Sequence, residues 1–402
     1  MKKLLWISPY VPYDDVPHAG GKTHNYYIKY FQKSGNFDIH LVTLAQQNQK
    51  DFIDLEQYGI SFQVAFEDGN LLKNTYRKIY NLNSLFNRKH RLCKTILSYQ
   101  YGQLKKMVKE YAKSDTPDVV IMQWTGAAFL LPLVKEIFPE AYTIIIEEDV
   151  AFLGYERIYK NATSKSRLIN KDVYEKLKKS ELQLLRDCDL VVVNNEKDSV
   201  LIQENRIERE KIYVAAPFYE DYSSVSREQI IPKIIFYGVM SRDENHQAAM
   251  WVIENIMPRL EDTDITFEII GSNPREELKR YANDRIRVRG YVKDVRCDFA
   301  EALCMVVPLH LGAGIKVKVL EGMSAGVPVL TNSIGIEGIP AVADKEYYYC
   351  ESVEEYVTII RRLYESVIER SRVSAATREF MLHAYNINMR LDGLIERILK
   401  ES

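Results

Sequence analysis

Short apolar runs alternate with longer amphipathic segments along the chain, and this alternation constrains the fold more than any other feature. The runs are rich in Ile, Val and Leu on both faces, as are parallel strands that helices cover on both sides. Strand followed by helix, repeated many times, predicts a doubly wound α/β sheet. The strands predicted in the first half are Lys3–Ser8, Ile39–Leu44, Val119–Gln123, Thr143–Glu147, Leu190–Asn194 and Ile212–Ala215.

A polar segment interrupts this alternation, and the second half then repeats it. Residues 217–226 break the apolar pattern, and a chain of 402 residues exceeds one typical core. We therefore predict a first α/β domain over 1–216, a linker over 217–231 and a second α/β domain over 232–385. The strands predicted in the second half are Lys233–Tyr237, Thr266–Ile270, Ile286–Arg289, Ala302–Val307, Val327–Leu330 and Tyr347–Cys350.

Helical patterns fill the segments between these strands, so the prediction is two facing doubly wound domains with a cleft between them. Open α/β sheets bind ligands outside the carboxyl ends of their strands. The predicted helices are Thr23–Lys33, Gly126–Phe138, Ile169–Arg186, Glu244–Leu260, Glu276–Ala282, Lys316–Ser324 and Val353–Glu369.

Composition narrows the class of protein. Apolar residues make up 46% and charged residues 27% of the chain, which is typical of a soluble globular protein. The five cysteines are odd in number and form no CxxC pair, which argues against a disulfide framework or a structural zinc site. No run approaches the ~20 apolar residues of a membrane span. These features predict a cytoplasmic protein.

A Gly-Gly pair lies between the first strand and the first helix. Gly20 and Gly21 let backbone N–H groups approach a ligand closely, and the helix N-terminus behind them favours negative charge. A phosphate or diphosphate is the ligand this pattern favours. The alternative is an ordinary strand–helix turn, because glycine pairs are common there.

A second glycine loop, over residues 306–329, runs from strand through loop and helix to strand. Gly312 and Gly314 open the loop, and Lys316 lies near the N-terminus of the following helix, where its charge adds to the backbone donors for a diphosphate. Glu321 follows five residues later, and its carboxylate can accept two hydrogen bonds from a ribose diol. The alternative is a solvent-facing helix with ordinary surface charges.

This segment resembles the nucleotide-sugar signature of the retaining glycosyltransferases of family 4, also described as glycosyl transferases group 1, whose fold is GT-B. The resemblance covers most of the second domain and, in the first, little beyond Gly20-Gly21. The matching positions in the signature are Gly312, Gly314, Lys316, Lys318, Val319, Leu320, Glu321, Met323, Gly326, Pro328 and Val329. Shorter matches are Phe236-Tyr237-Gly238, Ile269-Ile270-Gly271, Arg289-Gly290-Tyr291-Val292 and Gly335-Ile336-Glu337-Gly338.

The resemblance implies a role for each matching group. Glu321 would bind the ribose hydroxyls, and Lys316 with its glycine loop and Gly20-Gly21 would bind the diphosphate and sugar. Tyr291 and Val292 would frame the nucleobase. The resemblance also implies retention of configuration, no metal and no other cofactor, and a helix over 386–402 that returns to the first domain.

Several family positions carry other residues here. Ala313 stands where many relatives have a second glutamate, and Val239 and Glu244 stand where many have Arg and Lys. Arg242 is a substitute for these charges or an ordinary surface arginine, and His310 replaces an arginine. Charge compensation of the donor phosphates therefore rests more heavily on Lys316 and Lys318.

Adjacent carboxylates end the predicted strand Thr143–Glu147. Asp149-Val150 and the downstream Arg157 match the family's His-Asp-Val pattern, with Glu148 in place of the histidine. A carboxylate here would orient the acceptor hydroxyl or accept its proton. We therefore predict Glu148 and Asp149, with Lys316, as the catalytic set. The alternative is a pair of acids that cap the next helix.

A basic strip over residues 71–113 contains eleven Lys and Arg and one acid, Glu110, with interleaved aromatic residues. It favours contact with an anionic membrane surface or a lipid-diphosphate acceptor, or else it is a solvated helix face. Nucleic acid is not predicted, since the net charge is −2.

The predicted function is transfer of a sugar from a UDP- or GDP-linked donor to a hydroxyl of a glycan, glycolipid or protein acceptor. Asp262-Thr263-Asp264 has the letters of a metal motif but lies in a polar turn, so no metal site is predicted. Two alternatives stay open, namely a nucleotide-sugar epimerase and a non-catalytic GT-B subunit.

Overall fold

The computed structural model describes residues 1–16, 18–67, 95–160, 162, 164–311 and 314–402. The chain divides into two compact units. Unit 1 comprises Met1–Phe218 and Ile387–Ser402, and unit 2 comprises Tyr219–Asn386. The division falls within the segment that we predicted as a linker.

Unit 1 is built on a seven-stranded sheet in which all neighbouring strands are parallel. The strand order is β3-β2-β1-β4-β5-β6-β7. The strands are β1 Lys2–Ser8, β2 Phe37–Gln46, β3 Ser61–Glu67, β4 Val119–Gln123, β5 Tyr142–Glu147, β6 Leu190–Val193 and β7 Ile212–Val214. The described helices of this unit before residue 218 are α1 Ala19–Lys33, α2 Ser98–Tyr111, α3 Trp124–Ala128, α4 Leu131–Ile137, α5 Ala151–Lys160, α6 Ser164–Asp187 and α7 Glu196–Glu204, with 3-10 turns at Gln47–Phe52, Leu55–Tyr58 and Arg209–Lys211.

Unit 2 repeats the same plan with six parallel strands in the order β10-β9-β8-β11-β12-β13. Its strands are β8 Lys233–Tyr237, β9 Thr266–Ile270, β10 Ile286–Gly290, β11 Cys304–Val307, β12 Val329–Thr331 and β13 Tyr348–Tyr349. Its helices are α8 Asp243–Trp251, α9 Glu276–Lys279, α10 Arg296–Glu301, α11 Val317–Ser324, α12 Val353–Glu365 and α13 Val367–His383. The prediction of two doubly wound α/β domains is confirmed.

The central strands were predicted because both of their faces are buried. The exposed fraction of every residue in β4 and β6 is below a tenth, and each strand reads as a continuous apolar run. Edge strand β3 was missed. Its residues are exposed or half-buried, and Phe62, Val64 and Phe66 alternate with other residues, so it lacks the continuous run.

Three predicted helices are interrupted in the structure. The segment predicted as Glu244–Leu260 is α8 followed by a π turn at Val252–Ile256 and a 3-10 turn at Met257–Leu260, where Pro258 has no N–H to donate. The segment predicted as Val353–Glu369 is divided at Ser366, whose backbone is extended and whose hydroxyl accepts from the Glu369 N–H at 3.2 Å.

The third interruption divides the helix predicted as Gly126–Phe138. It forms α3 and α4 with a break at residues 129–130, and Pro132 occupies the first turn of α4, where a proline needs no hydrogen-bond partner. The helix predicted to begin at Thr23 begins instead at Ala19, four residues earlier.

A helix that follows unit 2 in sequence belongs to unit 1. Helix α14, Ile387–Glu401, packs its apolar side against the same face of the unit 1 sheet as α1. Tyr213 Oη donates to the Arg390 carbonyl at 2.6 Å, and Tyr30 Oη donates to Asp392 at 2.6 Å. Its buried side chains are Ile387, Leu391, Leu394, Ile395 and Ile398. The spacing is that of one helix face.

No helix in the described ranges combines the length and the hydropathy that crossing a bilayer requires.

The packing of α14 predicts that the stability of unit 1 depends on this helix. Replacing the fully buried Leu391 by Ala should lower the free energy of unfolding of unit 1 by about 2–5 kcal/mol, through lost burial and a residual cavity. Met389, on the same helix, is 66% exposed, so Met389→Ala should change that free energy by less than about 0.5 kcal/mol. Denaturant titrations monitored by hydrogen exchange in unit 1 measure both. Equal effects would contradict the packing.

Candidate functional site

Each sheet has one place where the direction of its connections reverses. In unit 1, the chain moves outward from β1 to β2 and β3, then returns to place β4 on the other side of β1. In unit 2 the same reversal separates β8 from β11. The loops that follow these two strands diverge there, and open α/β sheets bind ligands in the opening. These two sheet edges are therefore the candidate sites.

Lys316 lies at the N-terminus of α11, after the glycine loop that follows β11. Its side chain is 9% exposed, and its Nζ donates to the Gly314 carbonyl at 2.5 Å. The Nζ atom also lies 3.7 Å from a Glu337 carboxylate oxygen. Gly314 has φ +68, a conformation that favours glycine. The ammonium is thus held beside the helix N-terminus as predicted, whereas the predicted Gly312 lies outside the described residues.

Lys318, the second residue of α11, reaches the end of β8. Its Nζ donates to the Asn245 side-chain oxygen and lies 4.6 Å from the centre of the Phe236 ring. Burial lowers the pKa of Lys318 to about 7. The nearby charges of Arg242 and Lys316 lower the pKa further, while Glu244 raises it. Two further cations, Arg242 and Lys316, therefore act on Lys318 at the unit 2 edge, an arrangement that favours an anionic ligand.

Glu321 lies further along α11 and is 5% exposed. Its Oε1 accepts from the backbone N–H of Glu220 at 3.4 Å, a long and therefore weak hydrogen bond. In the next turn the Ser324 hydroxyl accepts from the Tyr222 N–H at 3.0 Å. The carboxylate is thus held against the segment that begins unit 2.

The other predicted donor residues lie nearer the surface. Arg242 forms an ion pair with Glu244 at 2.6 Å, and its side chain is 66% exposed. Tyr291 follows β10 and is 75% exposed, and Val292 beside it is half-buried. The His310 ring lies 5.7 Å from the Trp251 ring, at the end of α8, a contact that the sequence did not predict.

Two glycines bring the ends of β8 and β9 into backbone contact. A side chain at Gly271 would place its first carbon 1.7 Å from the Gly238 carbonyl oxygen, so this position accepts glycine alone. The Gly238 N–H donates to the Ile270 carbonyl at 3.0 Å. These glycines, noted in the sequence as family matches, thus have a packing role at this edge.

In unit 1 the predicted Gly-Gly loop is instead the first turn of α1. His18 caps this helix: its Nδ1 accepts from the Gly21 N–H at 2.9 Å. An added carbon at Gly21 would lie 2.6 Å from the His18 ring, whereas at Gly20 it would meet the Trp124 ring at an ordinary 3.5 Å. The helix starts early because of this cap. A phosphate at Gly21 would have to displace His18.

The carboxylate of Glu148, after β5, is held between two amides from the strands on either side, Gln123 at the end of β4 and Asn194 directly after β6. It accepts from Gln123 Nε2 at 2.7 Å and from Asn194 Nδ2 at 3.0 Å. Burial is the main cause that raises its pKa to about 8, and the charge of exposed Asp149 adds to this. Glu148 is thus mostly protonated at pH 7.

The same two amides suit either protonation state of Glu148. Their oxygens, Gln123 Oε1 and Asn194 Oδ1, have no hydrogen-bond partner among the described residues. Rotating either amide by 180° presents an acceptor instead of a donor. The site can therefore hold a carboxylate or a carboxylic acid without losing its contacts.

A second cluster of carboxyl groups, formed by Glu147 and Glu181, was not predicted from the sequence. Thr125 Oγ1 donates to Glu147 at 2.7 Å and lies 3.4 Å from Glu181 Oε1. Glu181 accepts from the Ala151 and Phe152 N–H groups at 2.7 and 2.8 Å, which anchors the start of α5. Burial raises the pKa of Glu147 and of Glu181, the latter to about 7. The available signal was a glutamate at position 181 within the apolar face of α6.

The described part of the basic strip, from residue 95 onward, is an amphipathic helix. In α2, Leu104, Met107, Val108 and Tyr111 pack into unit 1, and Tyr111 stacks on His40 at 4.9 Å. Lys106 and Lys109 are exposed. The prediction for residues 71–94 lies outside the described residues. Within the described ranges, no group of three or more His, Cys, Asp or Glu is arranged to hold a metal ion.

Part of the chain matches a known protein family in sequence. Residues 231–366, most of unit 2, match the family model described as Glycosyl transferases group 1. No curated protein matches the chain in sequence.

Solved structures match the chain over its whole length. Sucrose-phosphate synthase from Thermosynechococcus elongatus has a TM-score of 0.71 at 11% identity, with 100% of both chains covered. TarM of S. aureus has a TM-score of 0.67 at 11% identity over 99% of both chains. Anabaena HepE, solved in complex with UDP-glucose, has a TM-score of 0.65 at 12% identity over 100% of both chains.

At such low identity these similarities establish the fold alone, which is GT-B. The family match is a separate finding and concerns unit 2. Together, the fold of the whole chain and the match of its second unit support a group 1 glycosyltransferase.

Proposed function

We propose that this chain transfers a sugar from a UDP- or GDP-linked donor to a hydroxyl of a glycan, glycolipid or protein, with retention and without a metal. The observation that carries the proposal is the group of cations at the unit 2 edge. Lys316 lies at the N-terminus of α11, and both Lys316 and Arg242 are close enough to lower the pKa of Lys318. A diphosphate would bring together two negative charges and several acceptors that match these donors.

The donor side of the reaction follows from the same groups. Negative charge builds on the nucleoside diphosphate as it departs, and fixed cations stabilise this charge at little reorganisation cost. Lys316 and Lys318 would supply these positive charges, while Glu321 would hold the ribose hydroxyls. Retention and independence of metal rest on the resemblance of the 306–329 segment to family 4. UDP-glucose in the HepE structure supports a nucleotide-sugar donor.

The acceptor side is proposed to lie in unit 1, at Glu148 and Asp149. Glu148 would accept the proton of the attacking hydroxyl, for which it must first be ionised. Its two amide partners would keep it oriented in both protonation states, as described above. Asp149 is exposed and would orient the hydroxyl.

The donor proposal is tested by calorimetric titration with UDP, GDP and ADP. One of them should bind with micromolar to millimolar affinity. Glu321→Ala should weaken its binding by about 2–3 kcal/mol, because a buried two-point contact to a diol is lost. Glu365→Ala removes an exposed glutamate of the same unit and is the matched control.

If none of the three nucleotides bound, the glycosyltransferase proposal would be wrong. A chain that binds a nucleotide but neither hydrolyses nor transfers the corresponding sugar would instead be a non-catalytic GT-B subunit. Conversion of the donor to an epimer would identify an epimerase.

Lys318 makes donor binding depend on pH. Its pKa of about 7 means that it loses its charge as pH rises past 7, so affinity for UDP-glucose, whose own phosphates do not titrate there, should fall between pH 6 and 8.5. Lys318→Met should bind weakly and show no such change. Wild type and variant should converge at the alkaline end. A wild-type affinity that is flat with pH would contradict the assigned role of Lys318.

Glu148 makes catalysis depend on pH in the opposite direction. Because it must be ionised to accept a proton, kcat for transfer at saturating donor should rise with pH up to about 8 and then level off. Glu148→Gln should lower kcat roughly 10²–10⁴-fold and abolish this rise. Exposed Glu140→Gln is the control.

Unfolding measurements give a second test of the same residue. The pKa of Glu148 is raised on folding, so the stability linked to it is fully present below its unfolded pKa of about 4.5 and is lost as pH rises to about 8. Glu148→Gln should remove that part of the pH dependence. A full-activity variant with a normal pH profile would exclude Glu148 as the base.

A further inference from the structure

Trp124 has a backbone conformation that its bulky side chain disfavours. It directly follows β4 and begins α3, with φ +66, in the left-handed region. Non-glycine residues in this region cost free energy, and such positions cluster at ligand sites, where the surrounding structure holds them in place. Glycine would adopt this turn without strain. A tryptophan in this strained turn therefore indicates a function for its ring.

The Trp124 ring and the Tyr10 ring form an open corner. Their centres are 5.2 Å apart and their planes meet at 85°. Tyr10 is 51% exposed and Trp124 is half-buried. Behind the corner, the Trp124 ring contacts the His24 ring at 5.4 Å, and the Tyr10 ring lies 6.1 Å from His18. The corner is thus supported from within the unit and presents aromatic surface outward.

The corner lies at the reversal point of the unit 1 sheet. Tyr10 follows β1 and Trp124 follows β4, the two neighbouring strands whose connections run in opposite directions. This is where an open α/β sheet binds ligands. The position of both rings is therefore that of a binding site rather than of a random exposed aromatic pair.

One residue, Gln123, connects the corner to a carboxyl group. Gln123 precedes Trp124 and donates to Glu148 at the end of the next strand, β5. The two histidines behind the rings are uncharged at pH 7, since burial lowers the pKa of both, to about 3 for His24. The corner thus combines aromatic faces with a carboxyl acceptor.

Pyranose sugars match this combination. Their rings have a C–H face that packs on an aromatic ring and a rim of hydroxyls that can hydrogen-bond to a carboxyl group in either protonation state. A polyprenyl chain would use the rings and leave the carboxyl without a hydroxyl partner. A phosphate would gain nothing from the aromatic rings or from Glu148, and the neutral histidines offer it no positive charge.

We propose that the corner formed by Tyr10 and Trp124 binds a pyranose ring of the acceptor, which makes the acceptor a glycan. The proposal rests on the proposed function in calling this sugar the acceptor. The binding of a sugar at the corner requires no nucleotide and can be tested by itself.

The test uses the full chain on an array of immobilised pyranose oligosaccharides, without nucleotide. Wild type should bind a subset of them. Tyr10→Ala and Trp124→Gly should weaken this binding at least about tenfold, since each removes a stacking face. Trp124→Phe keeps a ring and should stay within about threefold. Tyr281→Ala removes a 40% exposed tyrosine of unit 2 and should have no effect.

The variants also separate binding from folding. Trp124→Gly removes the ring and relieves the backbone strain, and Tyr10→Ala leaves the Trp124 turn intact, so loss of binding in both, with melting curves that remain cooperative, supports the proposal. An array to which wild type does not bind would overturn it. So would binding that survives in both variants, or binding of wild type to polyprenyl-phosphate vesicles alone.

The outcomes distinguish this inference from the proposed function. Oligosaccharide binding that depends on Trp124, in a chain that binds no nucleoside diphosphate, would keep the sugar site and reject the transferase. Nucleotide binding that depends on Glu321, together with an empty array, would reject the sugar site and keep the donor proposal.

Discussion

Parallel pairing of every strand is the constraint on which the rest of the structure depends. It requires helices on both faces, which buries the strands, and it places all carboxyl ends of a sheet at one edge. The side chains of loops far apart in sequence therefore meet there. Glu148 meets Asn194 from 46 residues away, and Lys318 meets Asn245 from 73 residues away. Neither contact would arise from local structure alone.

The two edges carry opposite chemistry. At the unit 2 edge, cations surround the N-terminus of α11, with Glu244 and Glu337 as their partners. At the unit 1 edge, carboxyl groups are buried to different depths, so Asp149 is exposed while Glu147 is fully enclosed. This division of charge suits the proposed anionic donor on one unit and the proposed hydroxyl-bearing acceptor on the other.

Local patterns predicted the central strands and the order of the elements, because a buried parallel strand is an unbroken apolar run. They did not predict β3, since an edge strand is half-exposed, and they joined helices that Pro258 and Ser366 separate. Lys316 and Glu321 were predicted as donor-binding residues from the glycine loop and from their spacing along the helix that follows it. The partners of Glu148 and the left-handed turn at Trp124 were not, since both depend on how distant segments pack.

The position of α14 has a consequence for biosynthesis. The ribosome makes residues 1–218 first, yet the part of their apolar face that α14 covers stays uncovered until residues 387–401 emerge, after all of unit 2. Unit 2 is contiguous and can complete its own core beforehand. During translation, unit 1 therefore completes its core only after unit 2 has been made. Until then it exposes an apolar surface that a chaperone would recognise.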